Sequence, residues 1–147
     1  MTYNIFIIYM TINSHYQLFD CLDSRGRNVM QGWAMGLGEE RRARLDLKIE
    51  LLERSGDSLP PKLITPTSGK PRYRNILEMR VNGRVALRPM LCRGPFAMQS
   101  EFTFLFGAEE RNRKYVPLDA PQRADKNRLV LLKIGEHGRE NHRRFSR

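Results

Sequence analysis

The segment Glu101–Ala108, with the sequence EFTFLFGA, constrains the fold of this chain more than any other segment. In an extended chain its three phenylalanines project to one side, and Thr103 and Leu105 project to the other. Both sides are largely apolar, which is typical of an interior strand and not of an edge strand. The segment therefore predicts a β-sheet with this strand in its interior, and the phenylalanines are interpreted as core residues.

Three predicted helices accompany the sheet. The first begins after the capping residue Asn28 and ends near Gly36. The second, Glu39–Arg54, has acidic residues in its first turn and apolar residues at a helical spacing. The third, Ala120–Ile134, is closed by a glycine. With a first strand over 15–22, the predicted order is β-α-α-β-β-β-α, which is a single α+β domain.

Residues 75–88, NILEMRVNGRVALR, predict a β-hairpin that is rich in arginine. A three-residue loop over 81–83, with Gly83 in the left-handed conformation of a bulge, keeps the apolar residues on one face. The predicted cross-strand pairs are Arg80 with Arg84 and Met79 with Val85. The predicted core face consists of Leu77, Met79, Val85 and Leu87. The opposite face consists of Glu78, Arg80, Arg84, Ala86 and Arg88.

Like charges that face each other across two strands destabilise the pair by up to about 1 kcal/mol. The arginine face is therefore interpreted either as a surface for an anionic ligand or as a solvated outer face. Between the second helix and the hairpin, residues 62–74 are predicted to form a loop, with one short strand around Leu63 and Ile64.

The net charge of +10 and the sequence pI near 10.2 favour a polyanionic partner, and nucleic acid is the commonest one. A soluble basic protein without such a partner is the alternative. The charge is uneven, because residues 111–147 carry 11 basic and 4 acidic side chains. The end of the chain, 135–147, is predicted to be a loose basic tail.

The first residues, MTYNIFIIYMTI, are apolar but lack the basic region and the cleavage site of a signal peptide. They are interpreted as an added segment over 1–14, with Met10 as an alternative start, and a cytoplasmic protein is expected. Cys21 and Cys92 are expected to be separate reduced thiols. Neither a metal nor another cofactor is expected, because no cluster of ligand residues is evident in the sequence.

The familiar enzymatic motifs are missing, so arginine, lysine and tyrosine carry the available chemistry. They concentrate on the hairpin and in the segment 111–115, RNRKY, which follows the phenylalanine strand. Arginines bind a scissile phosphate, and a lysine or tyrosine serves in proton transfer or stacks on a base. This set suits RNA cleavage through the 2′-hydroxyl, and it suits a phosphate-binding surface without catalysis equally well.

Several strings occur in a characteristic order: SRGRNVMQGWAMGL (24–37), LPPKLITP (59–66), ILEMRVNG (76–83), LRP (87–89) and EFTFLFGAEERNRKYVP (101–117). Together they resemble the RelE/ParE toxin superfamily, in particular its phage-derived, HigB-like branch, over residues 15–134. The resemblance implies two N-terminal helices packed on a small antiparallel β-sheet, with a C-terminal helix. It also implies the toxin of a type II toxin–antitoxin system, an endoribonuclease that cuts mRNA on the ribosome and is bound by a DNA-binding antitoxin, with no membrane partner.

The resemblance also assigns candidate catalytic residues by position. Arg80 matches the arginine in the family's first hairpin strand, and Arg88 matches the arginine of the next strand. Lys114 and Tyr115 match the basic and aromatic residues that follow the last strand. Arg80 and Arg88 would hold the phosphate, and Lys114 and Tyr115 would assist proton transfer or stacking.

Four further residues are candidates for binding RNA. Arg111 and Arg113 lie near the end of the strand in which the family carries an arginine. Lys62 is a candidate for the lysines that some members carry before the hairpin. Arg84 lies on the arginine face of the hairpin and has no family counterpart.

Two other functions stay open at this point. The first is a non-catalytic binding module, either a remnant that still binds an antitoxin or an inhibitor of a DNA enzyme such as a topoisomerase. The second is a basic protein that binds nucleic acid through the tail alone.

Overall fold

A computed structural model describes residues 15–56, 63–68 and 73–146. The segment 1–14 and the candidate Lys62 lie outside the described residues. The helices of the described chain are α1 (Val29–Met35), α2 (Glu39–Ser55) and α3 (Ala120–Ile134). The strands are β1 (Gln17–Cys21), β2 (Ile64–Pro66), β3 (Leu77–Met79), β4 (Ala86–Arg93), β5 (Glu101–Arg111), β6 (Lys114–Val116) and β7 (Arg139–Asn141).

The strands form one mixed sheet in the order β2-β3-β4-β5-β1-β7, and β6 pairs with β5. Strand β5 lies between β4 and β1, so the predicted interior position of EFTFLFGA is confirmed. Strands β1 and β5 run parallel, with Leu18 opposite Phe102. The expectation of an antiparallel sheet is therefore wrong at this pair. Parallel neighbours require a long connection between them, and here everything from α1 to β4 supplies it. The α+β class is confirmed.

Helices cover both faces of the sheet. On one face α1 and α2 bury Met30, Leu45 and Leu52 against Phe102 and Phe104, and we call this side the first face. Helix α1 begins where predicted, because the Asn28 side chain accepts a hydrogen bond from the backbone N–H of residue 31. On the second face α3 packs its small residues closely against the sheet, which puts a second apolar core there.

A bulge in β5 changes which side its last aromatic residue faces. Met90 of β4 pairs with Phe106, whereas the next residue, Leu91, pairs with Phe104. The extra residue reverses the alternation, so Phe106 packs on the second face and not with the other two phenylalanines. Beyond the bulge, the Trp33 ring of α1 lies against the backbone of Gly107, where a β-carbon would be 1.9 Å from Trp33 Cδ2.

The hairpin of β3 and β4 has a register that differs from the predicted one. Val81 and Leu87 exchange two backbone hydrogen bonds, and residues 82–85 connect Val81 to β4, which begins at Ala86. The predicted three-residue loop and the pairing of Arg80 with Arg84 are therefore wrong, and Gly83 does not have a positive φ. The register moved by an even number of residues, so the predicted core face of Met79 and Leu87 is confirmed.

The C-terminal segment is part of the fold and not a loose tail. Strand β7 pairs with β1, and Phe145 is buried in the core of the first face. The Asp46 carboxylate of α2 accepts hydrogen bonds from the backbone N–H groups of Phe145 and Ser146. The Nδ1 of His142 lies 3.0 Å from the Oδ1 of Asp20, which is buried in β1. The segment is mostly basic and polar, so its composition did not indicate that Phe145 packs in the core.

Candidate functional site

Three of the four predicted catalytic residues meet around one carboxylate, that of Glu78. The phenol of Tyr115 donates a hydrogen bond to Glu78 Oε2 at 2.9 Å. The Nε of Arg80 lies 3.6 Å from Glu78 Oε1. The positive charge of Arg88 also acts on Glu78, and Arg88 Nη2 donates to Glu110 Oε2 at 2.9 Å. We call these five residues the Glu78 cluster.

Backbone alternation explains how the cluster assembles. Glu78 lies between Leu77 and Met79, whose side chains face the first core, so its own side chain projects to the second face. Arg88 follows Leu87 in β4 and projects to the same side. Tyr115 comes from β6, which pairs with β5, and Glu110 Cα is its partner in that register. Four strands of one sheet therefore contribute to the cluster.

Most of the cluster is closed to solvent. The relative exposure is 1% for Glu78, 5% for Arg88 and 8% for Tyr115. The side chain of Arg80 is 59% exposed, so it is the member that reaches the surface. The sequence prediction of an outer arginine face is therefore correct for Arg80 and wrong for Arg88. The small residues of α3 and the β6 strand cover the part of the second face on which Arg88 lies.

Burial changes the proton affinities of Glu78 and Tyr115, the two groups that share a hydrogen bond. Desolvation raises the pKa of Glu78 above its ordinary value, although the Tyr115 hydrogen bond and the charges of Arg80 and Arg88 oppose this. Desolvation also raises the pKa of Tyr115, against hydrogen bonds from Ser68. Glu78 is thus a carboxylate with an increased tendency to take up a proton, and Tyr115 keeps its phenolic proton.

Besides the hydroxyl of Thr65, whose Cα pairs with that of Glu78, two buried polar atoms near the cluster have no hydrogen-bond partner within the described residues. One is the Nε of Arg88, whose Nη1 and Nη2 are both engaged, by the Leu87 carbonyl and by Glu110. The other is the hydroxyl of Thr67, which precedes Ser68. The Ser68 backbone N–H donates to the Tyr115 oxygen at 2.8 Å. One buried donor of Arg88 is therefore without an acceptor within the described residues.

Five cationic residues gather at the end of the sheet where β4 begins and β5 ends. We call this surface the basic end, and it consists of Arg80, Arg84, Arg111, Arg113 and Lys114. The register brings its segments together, because Ala86 pairs with Glu110 and Arg111 pairs with Lys114. Asn112 and Arg113 form the turn between β5 and β6, both with positive φ. The arginines of two separate hairpins therefore share one surface.

Carboxylates neutralise part of the basic end. Arg111 pairs with Glu109 at 2.9 Å, and Arg80 approaches Glu78. Arg84, Arg113 and Lys114 are exposed, and no ion pair of theirs is found in the described part of the chain. These three cations remain available to an anionic partner. Lys114 lies next to Tyr115 in sequence, but it projects to solvent and is not part of the closed cluster.

A cleft of about 190 Å³ separates the hairpin tip from the start of α2. Arg41, Arg44 and Arg84 contribute to its lining, together with Glu40. The Arg44 guanidinium rests on the backbone of Gly83, where a β-carbon would lie 1.9 Å from Arg44 Nη1. The missing side chain of Gly83 leaves room for this close approach, whereas a larger residue would displace the flexible end of Arg44.

Sequence reasoning missed Glu78, Glu110 and Ser68 as members of the site. The sequence predicts Glu78 only as a member of the outer, arginine-rich face of the hairpin. The signal that could have found it is the pair of small residues Ala120 and Ala124 in α3, which allow that helix to lie close to the second face. The predicted Lys62 lies outside the described residues, so its position relative to the site is not described.

Among residues 15–56, 63–68 and 73–146, no group of three or more histidine, cysteine, aspartate or glutamate side chains could hold a metal ion. Cys21 and Cys92 are both buried and free, as expected. None of the helices that the structure describes is long and apolar enough to cross a membrane.

Comparisons with models of protein families, with curated proteins and with solved structures find no match to this chain.

Proposed function

We propose that this chain is a RelE-like toxin of the phage-derived, HigB-like kind, an endoribonuclease that cleaves mRNA bound to the ribosome. The observation that carries the proposal is the convergence of Arg80, Arg88 and Tyr115 on the carboxylate of Glu78. These are the arginines and the tyrosine that the resemblance assigns to catalysis. They come from separate strands and meet beside the exposed basic end.

The arrangement suits cleavage of RNA through its own 2′-hydroxyl. The 2′-oxygen attacks the phosphorus and loses its proton to a base, the bond from phosphorus to the 5′-oxygen breaks, and the 5′-oxygen takes up a proton. The products are a 2′,3′-cyclic phosphate and a 5′-hydroxyl. This reaction needs no metal ion, because cationic side chains can offset the charge that develops on the phosphate oxygens.

The cluster provides a residue for each of these tasks. Arg80 reaches solvent and binds the phosphate next to Glu78, and the buried Arg88 adds positive charge behind it. Glu78 is closed off in the free protein, and with its raised pKa it accepts the proton of the 2′-hydroxyl when bound RNA opens the cluster on the side of Arg80. Tyr115 keeps its proton and orients Glu78 through the hydrogen bond between them. Lys114 contacts the phosphate from the exposed side and gives the 5′-oxygen its proton, the role in proton transfer that the resemblance implies.

The exposed cations extend the same surface for the substrate. Arg84 and Arg113 are free of carboxylate partners within the described residues, and they suit the backbone of a single strand. Such a toxin acts in the cytoplasm, where its other partners are the ribosome and a DNA-binding antitoxin. The net charge of +10 is consistent with an RNA-rich target.

The test is expression of the full chain under an inducible promoter, with growth and the cleavage of ribosome-bound mRNA as readouts. We expect the wild type to arrest growth and Arg80→Gln to relieve the arrest. Arg123→Gln is the matched control, since Arg123 is an exposed arginine of α3 that pairs with Asp119. A wild-type protein that folds normally but neither slows growth nor cuts mRNA would refute the proposal.

A second candidate function is a non-catalytic binding module, and the closure of the cluster favours it. Glu78, Arg88 and Tyr115 are almost completely buried and engage one another or Glu110. Such an arrangement can simply hold β3, β4 and β6 together. The substitution Lys114→Gln combined with Tyr115→Phe separates the two functions. A nuclease loses activity on this change, whereas a binding module retains its affinity for the antitoxin or for another protein partner.

A further inference from the structure

Three arginines surround a small cavity at the opposite end of the β3–β4 pair. The cavity has a volume of about 100 Å³, and it is lined by Arg74, Asn75, Leu77, Arg93, Met98 and Arg128. Arg93 ends β4, five residues after Arg88, which corresponds to about 16 Å along an extended strand. The cavity is therefore separate from the Glu78 cluster and from the basic end of the sheet.

The lining of the cavity is cationic and contains no acidic residue among the residues that the structure describes. Arg74 is exposed and comes from the turn before β3, Arg93 comes from β4, and Arg128 comes from α3. Asn75 adds a neutral amide. Arg74 and Arg128 come from separate elements and carry like charges that repel one another, and an anion between them would reverse that repulsion.

Arg128 also has a hydrogen-bond donor without an acceptor within the described residues. Its Nε is buried and has no hydrogen-bond partner within the described residues. Burial raises the pKa of the neighbouring Cys92 thiol to about 12, although the Arg128 guanidinium acts in the opposite direction. The thiol therefore stays neutral and does not balance the charge of Arg128.

The size of the cavity limits what it can hold. Pockets for drug-sized ligands and nucleotides are typically about 300–1,000 Å³, so a cavity of about 100 Å³ suits a single small group. Guanidinium groups bind tetrahedral oxyanions through paired, charge-assisted hydrogen bonds. We propose that Arg74, Arg128 and Asn75 form a binding site for one phosphate group, with Arg93 in the wall of the cavity.

A phosphate group can come from free inorganic phosphate or from the backbone of a nucleic acid strand. The first experiment is a titration of the full-length protein with inorganic phosphate at constant ionic strength, balanced with chloride. The readout is the ¹⁵N–¹H signal of the Arg128 Nε–H, which is assigned by its disappearance in Arg128→Gln. We expect a saturable shift of this signal.

The matched variants show whether the shift comes from the proposed site. Arg74 is exposed, so Arg74→Gln should fold normally, and we expect it to weaken phosphate binding about tenfold through the loss of charge-assisted hydrogen bonds. Arg123→Gln, on the same helix but outside the cavity, should bind phosphate like the wild type. Absence of a saturable shift, or equal affinities of Arg74→Gln and the wild type, would overturn the proposal.

A second titration distinguishes the two sources. A short 2′-O-methyl RNA without terminal phosphates offers only backbone phosphates and resists cleavage through the 2′-position. If this RNA shifts the Arg128 signal and Arg74→Gln weakens the effect, the site takes a backbone phosphate. If inorganic phosphate alone shifts the signal, the site takes a free phosphate.

Discussion

The phenol oxygen of Tyr115 lies 2.9 Å from Glu78 Oε2, across 37 residues of sequence. The tyrosine donates this hydrogen bond, and Ser68 donates two hydrogen bonds to the tyrosine oxygen, one from its backbone N–H and one from its hydroxyl. The pair joins β6 to β3, with the whole of β4 and β5 between them in the chain. The position of the Glu78 side chain in the arginine hairpin is therefore fixed by β6, a strand that follows the hairpin in the chain.

Tyr115→Phe tests the contribution of this hydrogen bond to stability. The substitution keeps the ring and removes the donor, so we expect the free energy of unfolding to fall by about 2 kcal/mol, as for a hydrogen bond to a charged group. Urea denaturation measures the change. Tyr73→Phe is the control, because Tyr73 packs against the same core and its hydroxyl has no hydrogen bond within the described residues. Equal effects of the two substitutions would contradict the structural role.

Glu78→Gln tests the raised pKa of Glu78. The folded protein holds the proton of this carboxyl more tightly than the unfolded chain, so Glu78 makes stability fall as the pH rises from 4.5 to its folded-state pKa. Below pH 4.5 the carboxyl is protonated in both states and carries no such cost. We therefore expect the variant to gain stability relative to the wild type as the pH rises through this window, and then to keep a constant difference.

Denaturation at a series of pH values measures that difference. Glu136→Gln, at an exposed glutamate of the short helix after α3, should show no comparable trend. A difference for Glu78→Gln that does not change with pH, or that changes in the opposite direction, would show that the carboxylate is not disfavoured by burial.

Gly107→Ala tests the packing of α1 on β5. The added β-carbon would lie 1.9 Å from Trp33 Cδ2, and a rigid indole ring cannot move aside without shifting the helix. We expect a loss of about 3 kcal/mol in the free energy of unfolding, as for an overpacked core. Gly32→Ala is the matched control, because nothing lies within 4 Å of its β-carbon position. In the helix it should raise stability by about 0.5–1 kcal/mol. A Gly107→Ala protein as stable as the wild type would contradict this contact.

Phe145→Ala tests whether the C-terminal segment is part of the core. Phe145 is 5% exposed and packs beside His142, so we expect a loss of about 3–5 kcal/mol in the free energy of unfolding. Arg143→Ala removes an exposed side chain from the same segment and should change stability by less than about 0.5 kcal/mol. If the two variants unfold at the same denaturant concentration, the segment does not contribute to the core.

Arg84→Gln and Arg113→Gln test the basic end as an RNA-binding surface. Each removes an exposed cation, so each should reduce the slope of log affinity against log salt for single-stranded RNA by about 0.7. Fluorescence anisotropy of a labelled oligonucleotide at several salt concentrations gives these slopes. Arg123→Gln should leave the slope unchanged, and a slope that is identical in all three variants would place the RNA elsewhere.

Local patterns predicted the three helices, the strands β1, β3, β4 and β5, and β2 as a short strand, but they did not predict β6 and β7. Helix α3 has the predicted bounds, Asn28 caps α1, and the alternation of EFTFLFGA correctly predicted an interior strand. Each of these features depends on residues that are neighbours in sequence, through capping, helical spacing or alternation. The side of the hairpin that faces the first core was predicted for the same reason, because a strand has a period of two residues.

The predictions that failed depend on what lies across the sheet from a residue. Sequence parity put Arg80 and Arg88 on the same face, but only the packing of α3 and β6 left Arg80 exposed and Arg88 buried. The hairpin loop is longer than the turn residues suggested, and the bulge in β5 turned Phe106 to the other face.

The sequence by itself thus determined which residues form the three helices and most of the strands, and which hairpin side chains share a face. Only the tertiary structure decided that Glu78 is a buried carboxylate with a raised pKa and that Phe145 anchors the end of the chain. The physical reason is that burial and desolvation arise from contacts between residues distant in sequence, which no local pattern encodes.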